Sequence, residues 1–343
     1  MRCSRLLGSS CALALAAGTV WAVDTPEVEP NDSKAAATVV NLLNPGDSLS
    51  GNSTSATGVG LDYFRVNMPV QAAGIYRNRL VITTTGTAGH TGTIRGLNQT
   101  SAPADTQAGI PWDGVVGTAG TTDSTAQTTS TATTPPRYNQ WYSFGRPGSM
   151  FYRVTGTAST TANYVSTWEQ VPVNPALIGV FAPGQISFNW NGQGHTTDTD
   201  MWVYDSNFNP IQGYGNDDSS AALGGAPIAT TATQSWLARD FAPGTYYLAV
   251  SNFNVVNDQT SPSDDNFRTG TIMDFPGIAL NNSTTVNLNL AFTVTDSTSL
   301  SVAVPTTKVD PFDVNWFVFN VIPEPASMSL LALAAPALLR RRR

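Results

Sequence analysis

The chain has 343 residues, 12% of them charged and 41% hydrophobic, with 29 Gly, 22 Pro and a formal net charge of −7. That length holds two ordinary domains with cores of their own, and the composition favours many short strands over long charged helices. Six of the 17 basic residues (Arg2, Arg5, Arg340, Arg341, Arg342 and Arg343) sit at the two ends, so the body is more acidic than the whole. Such a body excludes nucleic acid and anionic membrane surfaces as partners, because both call for clustered Lys and Arg.

The N-terminal stretch has the basic start Arg2 and Arg5, an apolar run over 11–20, and then Val20, Trp21 and Ala22. This pattern reads as a secretory signal peptide over residues 1–22, cut after Ala22. A lipoprotein signal at Cys11 is the rival, but the apolar run follows that cysteine instead of preceding it. Both cysteines, Cys3 and Cys11, lie inside the expected leader. The exported chain is then free of thiols and disulfides in an oxidising compartment.

"TPEVEPNDSKAAATVV" comes next. Glu27, Glu29 and Asn31 stand at i, i+2 and i+4, and in an extended chain they project to one side. Pro30 favours that form, and Asp32 follows at a bend. Carboxylates and an amide oxygen are hard ligands suited to Ca²⁺, which takes six to eight oxygens. The plainer alternative is an acidic stretch ending in an Asn-Asp turn. Residues 33–40 suggest a short helix capped by Asp32 or Ser33.

In "GLDYFRVNMP", Phe64, Val66 and Met68 alternate with Tyr63, Arg65 and Asn67 as in a half-buried strand. "NRLVITTTG" predicts a second strand. Residues 83–136 are dominated by Thr, Ala, Gly and Ser, which predicts long surface loops. "QWYSFGRPGSMFYRVTG" predicts two strands around Arg146, Pro147 and Gly148. "VPVNP" at 171–175 reads as a linker.

Beyond it, Ile186, Phe188 and Trp190 share a face in "GQISFNW", and "TDTDMWVYDSNFNP" is apolar on both faces before a turn. Tyr246, Leu248 and Val250 share a face in "FAPGTYYLAVSNF". "TVNLNLAFTV" alternates cleanly through Val286, Leu288, Leu290, Phe292 and Val294, and "VNWFVFNV" closes the body. The expected fold class is all-β: two antiparallel β-sandwich, jelly-roll-like modules over 23–172 and 173–320, the first carrying the loop 83–136. A signal peptide precedes them and a short hydrophobic C-terminal helix follows in 321–343.

That tail reads "VIPEPASMSLLALAAPALLRRRR". As a helix, the 14 residues 326–339 would span roughly 21 Å, short of the roughly 30 Å hydrocarbon core. Arg340, Arg341, Arg342 and Arg343 would hold on the cytoplasmic side. Pro323 and Pro325 keep the preceding peptide extended. Pro323-Glu324-Pro325, an apolar stretch and a terminal Arg cluster, in that order, resemble the PEP-CTERM sorting signal. The resemblance implies a Gram-negative bacterium that makes extracellular polysaccharide. It implies an exosortase-like membrane protease as partner, transient inner-membrane anchoring, and then release to the cell surface or extracellular space.

The body carries a second resemblance. "EVEPNDSKAAA", "LDYFRV", "DTDMWVYD" and "APGTYYLAV" are similar to the bacterial pre-peptidase C-terminal domain, a secreted β-sandwich. In the collagenase modules of that family the Glu-x-Glu-x-Asn-Asp pattern binds calcium and pins the N-terminal segment. The resemblance therefore implies Glu27, Glu29, Asn31 and Asp32 as metal ligands, assisted by Asp62.

Other constellations are weaker. Asp198, Asp200, Asp205, Asn216, Asp217 and Asp218 lack EF-hand spacing and are expected to cap turns. "NDQTSPSDDN" at 257–266 reads as an acidic loop. His90 and His195 have no partner at zinc-ligand spacing, and no Gly-x-Ser-x-Gly turn is present. Trp112, Trp141, Trp168 and Trp236 lie outside the cleanest strands, where sugar stacking competes with packing, and packing is favoured. The functional expectation is a non-catalytic exported protein with a structural or adhesive role, partnered by extracellular polysaccharide. The alternative is a secreted carbohydrate-binding protein or carbohydrate-active enzyme.

Overall fold

The computed structural model describes residues 22–54, 60–86, 89–96, 125–131, 136–156, 160–218, 233–253, 255–256 and 277–323. The leader 1–21, the acidic loop 257–266, Trp112, Glu324, Pro325 and Arg340, Arg341, Arg342 and Arg343 lie outside the described residues, as does the expected C-terminal helix. Among the described residues no helix is long and apolar enough to cross a membrane.

The chain is nearly all β. Its first half forms β1 (Asp24–Pro26), β2 (Thr38–Asn41), β3 (Ser48–Asn52), β4 (Leu61–Met68), β5 (Ile75–Thr84), β6 (His90–Arg95), β7 (Thr125–Ser130), β8 (Tyr138–Ser143), β9 (Gly148–Gly156) and β10 (Asn163–Val173). The second half forms β11 (Ala176–Phe181), β12 (Gly184–Asn189), β13 (Thr199–Tyr204), β14 (Pro210–Asn216), β15 (Trp236–Phe241) and β16 (Gly244–Asn252). These are followed by β17 (Val255–Val256), β18 (Ile278–Asn281), β19 (Leu288–Asn289), β20 (Phe292–Thr295), β21 (Ser301–Val304), β22 (Thr307–Lys308) and β23 (Asn315–Val321).

A seven-stranded sheet, β1-β3-β10-β5-β8-β18-β17, and a five-stranded sheet, β2-β4-β9-β6-β7, share one core. Phe64, Val66 and Met68 point into it, as their alternation predicts, beside Trp141, Tyr152 and Trp168. A five-stranded sheet, β11-β23-β16-β13-β14, and a four-stranded sheet, β15-β12-β20-β21, share a second core. Ile186, Phe188 and Trp190 enter it together, as do Leu248 and Val250.

A third cluster joins the halves. β13 is buried on both faces: Met201 and Val203 enter the second core, while Trp202 and Tyr204 face away from it. Those outward rings meet Ile75, Tyr142, Phe144, Phe208 and Trp316. Phe144 lies parallel to Phe208 at 5.7 Å and edge-on to Trp316 at 5.6 Å, geometries that suit aromatic quadrupoles. Arg146 donates to the Phe208 carbonyl at 2.5 Å. β18, from the second half of the chain, pairs antiparallel with β8 in the seven-stranded sheet.

Four local expectations are corrected. Residues 33–40 make one 3₁₀ turn, Lys34–Ala36, without a side-chain cap. Thr38, Val39 and Val40 are β-branched and pair with β4 instead. The segment 83–136 contains the paired strands β6 and β7, because Thr-rich sequence suits a pleated surface despite its few large apolar residues. The linker at 171–175 shrinks to Asn174 and Pro175, since Val171, Pro172 and Val173 continue β10 against β5. Pro172 is tolerated there because β3 pairs only with Asn163 to Thr167, leaving that side of β10 as an edge. The clean alternation after 284 is interrupted. Asn287 takes φ 56, and the Asn289 side chain accepts from the Ala291 N–H at 3.0 Å, so β19 and β20 are separate.

Candidate metal centre

The N-terminal segment is gripped from its first described residues. Val23 N–H donates to Asp47 Oδ1 at 2.9 Å, and β1 runs parallel to β3. The Ser48 and Ser50 hydroxyls each donate to the Asp24 carboxylate at 2.6 Å. The Glu27 N–H donates to the Ser50 carbonyl at 2.8 Å, which sets Glu27 over β3.

There the carboxylates converge. Oxygen atoms of Glu27, Glu29 and Asp62 lie within 4.8 Å of one another. Asp62 is 1% exposed. It is carried in by β4, whose neighbours Phe64 and Val66 anchor it to the core. Its Oδ2 accepts from the Tyr164 hydroxyl at 2.8 Å, whereas its buried Oδ1 has no partner. The Tyr164 hydroxyl also lies 3.3 Å from Glu27 Oε2, and Glu27 Oε1 accepts from the Asn52 N–H at 2.9 Å. Glu29 Oε2 accepts from the Asn31 N–H at 3.1 Å.

Asn31 is fully buried with neither atom of its side-chain amide hydrogen-bonded. Its carbonyl accepts from Tyr63 N–H at 2.9 Å, beside Asp62. Gly51 leaves the space for the group. A Cβ there would meet the Glu27 carboxylate and come within 2.6 Å of the Tyr164 hydroxyl.

Electrostatics follow from this crowding. Burial, reinforced by the charges of Glu27 and Glu29, pushes Asp62 up to about 8. Burial also raises Glu27, with Glu29 adding to the effect. The buried Asp62 carboxylate, with two further carboxylates beside it, is disfavoured in its ionised form unless a cation offsets the charge. The orphaned Asp62 oxygen and the unpartnered Asn31 amide are the donors a hard cation takes. The three carboxylates thus suit Ca²⁺, which Glu27, Glu29 and Asp62 would hold; the buried, unbonded Asn31 side chain belongs to the same segment. Asp32 is exposed and stands outside the group.

A second group, Asp198, Asp217 and Asp218, also has oxygens within 4.8 Å. Burial and the neighbouring charge of Asp218 raise Asp198 to about 6. Asp205 does what a turn-capping aspartate should. Its Oδ1 accepts from Asn207 and Asn209 N–H at 2.8 and 2.9 Å. The Asp200 carboxylate accepts from Val255 N–H.

The histidines have structural surroundings. His90 is buried, with Nδ1 2.9 Å from the Thr84 hydroxyl and its ring 5.1 Å from that of Tyr164. His195 Nε2 donates to the Ala291 carbonyl at 2.9 Å. Trp141 and Trp168 are fully buried, so both serve packing. A cleft of about 380 Å³ between the halves is lined by Arg77, Asn174, Asp313 and Trp316, among others. No sequence signal announced that cleft, because its walls come from segments more than 200 residues apart.

No family model matches this chain, and no curated protein matches it. Fold and site together define an all-β protein with a carboxylate group, centred on the buried Asp62, at the root of its first strands.

Proposed function

We propose that this chain is an exported, non-catalytic protein of the cell surface or extracellular matrix. It is built of two β-sandwich modules and clamped by calcium at its N-terminal segment. The observation that carries the reading is Asp62, buried beside the half-buried Glu27 and the exposed Glu29, with one oxygen that makes no hydrogen bond. The group lies where β1 and the following segment meet β3 and β4, so a cation there would staple the entry of the chain to its first core. Oxygen-rich sites of this kind fill at the calcium concentrations met outside cells. The likeness of "EVEPNDSKAAA" to the pre-peptidase C-terminal domain supports the same role.

Export rests on the sequence of residues 1–22 and on Pro323-Glu324-Pro325 with its arginines, which point to an exosortase-like protease. The role that follows is structural or adhesive, with extracellular polysaccharide as the partner.

The test has two arms. In the first, the full chain is expressed in its exporting host, and both termini of surface material are read by mass spectrometry. Cuts after Ala22 and near Pro323 are expected, and recovery from the cytosol with both ends intact would refute export. In the second, millimolar Ca²⁺ raises the Tm, and Glu29→Ala abolishes the rise. Turnover of a polysaccharide by the pure protein would refute the non-catalytic reading.

A further inference from the structure

The five-stranded sheet of the first half has an outer face with an unusual charge pattern. Phe64 and Val66 of β4, Met150, Tyr152 and Val154 of β9, and Ile94 of β6 all enter the core. Their neighbours along each strand therefore point away from it. The register sets Arg65 opposite Phe151, with Arg95 opposite Phe151 on its other side. One step along, Arg153 lies opposite both Tyr63 and Thr93.

Arg153 is thus the diagonal neighbour of Arg65 and of Arg95. Diagonal Cβ atoms lie about 7–8 Å apart, and adjacent strands about 4.8 Å apart. Three guanidinium groups share one small patch. Lys34 joins them, with Nζ 5.1 Å from the centre of the Phe151 ring, while Arg65 Cζ is 5.8 Å from it. Lys34 Nζ also donates to the Gly96 carbonyl at 2.8 Å. The outward positions of β2, β4, β6, β7 and β9 carry no Asp or Glu.

Two cations, Lys34 and Arg65, flank the Phe151 ring, and the register sets Arg95 and Arg153 close by, in a chain with only 17 basic residues. Arg65 Nε and Nη2 and Arg153 Nε are buried without any hydrogen-bond partner. The Phe151 face attracts cations but accepts no strong N–H bond. Buried guanidinium donors without an acceptor are costly. An anion that accepts several forked N–H bonds would remove that cost.

We propose that this face binds a small tetrahedral oxyanion, phosphate or sulfate, gripped by Arg65 and Arg153, with Arg95 and Lys34 completing the positive ring. Size follows from exposure: Arg65 and Arg153 are half-buried, and Lys34 and Arg95 are only 8% and 6% exposed, which suits a small ion better than a polymer.

The test is titration of the full chain with sodium phosphate and sodium sulfate against sodium chloride at equal ionic strength, by calorimetry and thermal melting. Saturable binding of either tetrahedral ion over chloride is expected. Arg153→Gln and Arg65→Gln each weaken it at least tenfold, and Arg153→Lys weakens it less than Arg153→Gln. Arg137→Gln, an exposed basic residue just before β8, leaves it unchanged. The two Gln variants remove repelling charges, so each is expected to fold, with an anion-free Tm at or above that of the parent. If one unfolds, the other supplies the affinity. Equal responses to chloride and sulfate would overturn the proposal. So would equal affinities in parent and Gln variants, or binding of a polyuronate without the small ions.

Discussion

Asp62→Asn isolates the buried carboxylate group. Asparagine keeps the shape and can still accept from the Tyr164 hydroxyl, which lies 2.8 Å from Asp62 Oδ2, but it cannot ionise. Asp62 holds its proton to about pH 8 against an ordinary 3.8. At about 1.4 kcal/mol per tenfold, ionising it in place without a cation costs up to about 6 kcal/mol, an upper bound that relaxation and water entry reduce. A raised folded-state value means that the folded form holds the proton more tightly than the unfolded chain. The resulting stability is full below about pH 4 and is lost as pH climbs toward 8.

In chelator, the parent should therefore lose about 2–6 kcal/mol relative to Asp62→Asn between pH 4 and 8, read from urea unfolding. Calcium reverses the ranking. At pH 7.5 millimolar Ca²⁺ should raise the parent's Tm and leave Asp62→Asn unmoved. Binding should also expel about one proton at pH 6.5, measured by calorimetry in buffers of different ionisation heat. Parallel pH profiles of parent and variant in chelator would refute the burial argument. A calcium response that survives in Asp62→Asn would refute the site.

Three further outcomes are expected. Gly51→Ala pushes a methyl into the Glu27 carboxylate and the Tyr164 hydroxyl, so it should cost about 1–3 kcal/mol in chelator and weaken the calcium response. Lys308, buried and donating to Asn252 Oδ1 at 2.7 Å and the Ser283 carbonyl at 2.9 Å, is lowered by burial to about 8 from 10.5. Since the unfolded chain then binds more protons, parent stability should rise from pH 8 toward 10.5, a rise absent in Lys308→Met by denaturant titration. Phe144→Ala should cost about 3–5 kcal/mol, and the parent should melt in one calorimetric transition because the aromatic cluster joins both halves. Two resolved parent transitions would count against that coupling.

Much of the strand pattern was legible because period-2 alternation reports burial directly. Phe64, Val66 and Met68 show it, as do Ile186, Phe188 and Trp190. The Thr-rich strands β6 and β7 escaped because their inward side relies on few large apolar residues. Ile94 enters the core there, while Gly92 clears space for the hydroxyl of Tyr152.

Glu27, Glu29 and Asp62 meet because Phe64 and Val66 fix the facing of Asp62 while β3 holds Glu27. The spacing suggested the first pair and the family resemblance pointed to Asp62, while the fold is what sets all three side by side. Asp32 shows the limit of spacing, since it follows Asn31 directly and yet faces solvent. The arginine patch had no sequence signal at all. Arg65, Arg95 and Arg153 lie 30 and 58 residues apart along the chain, and only the register of β4, β9 and β6 makes them neighbours.

The pairing of β18 with β8 ties the order of synthesis to the closing of a sheet. Tyr142 and Ser143 gain their strand partners from Ala279 and Ile278, so a product truncated after the first ten strands would leave that border bare. Bare borders recruit strands from other molecules. The halves should therefore not be separable into soluble pieces by cutting at Asn174, and a fragment prepared that way is expected to self-associate where the whole chain does not.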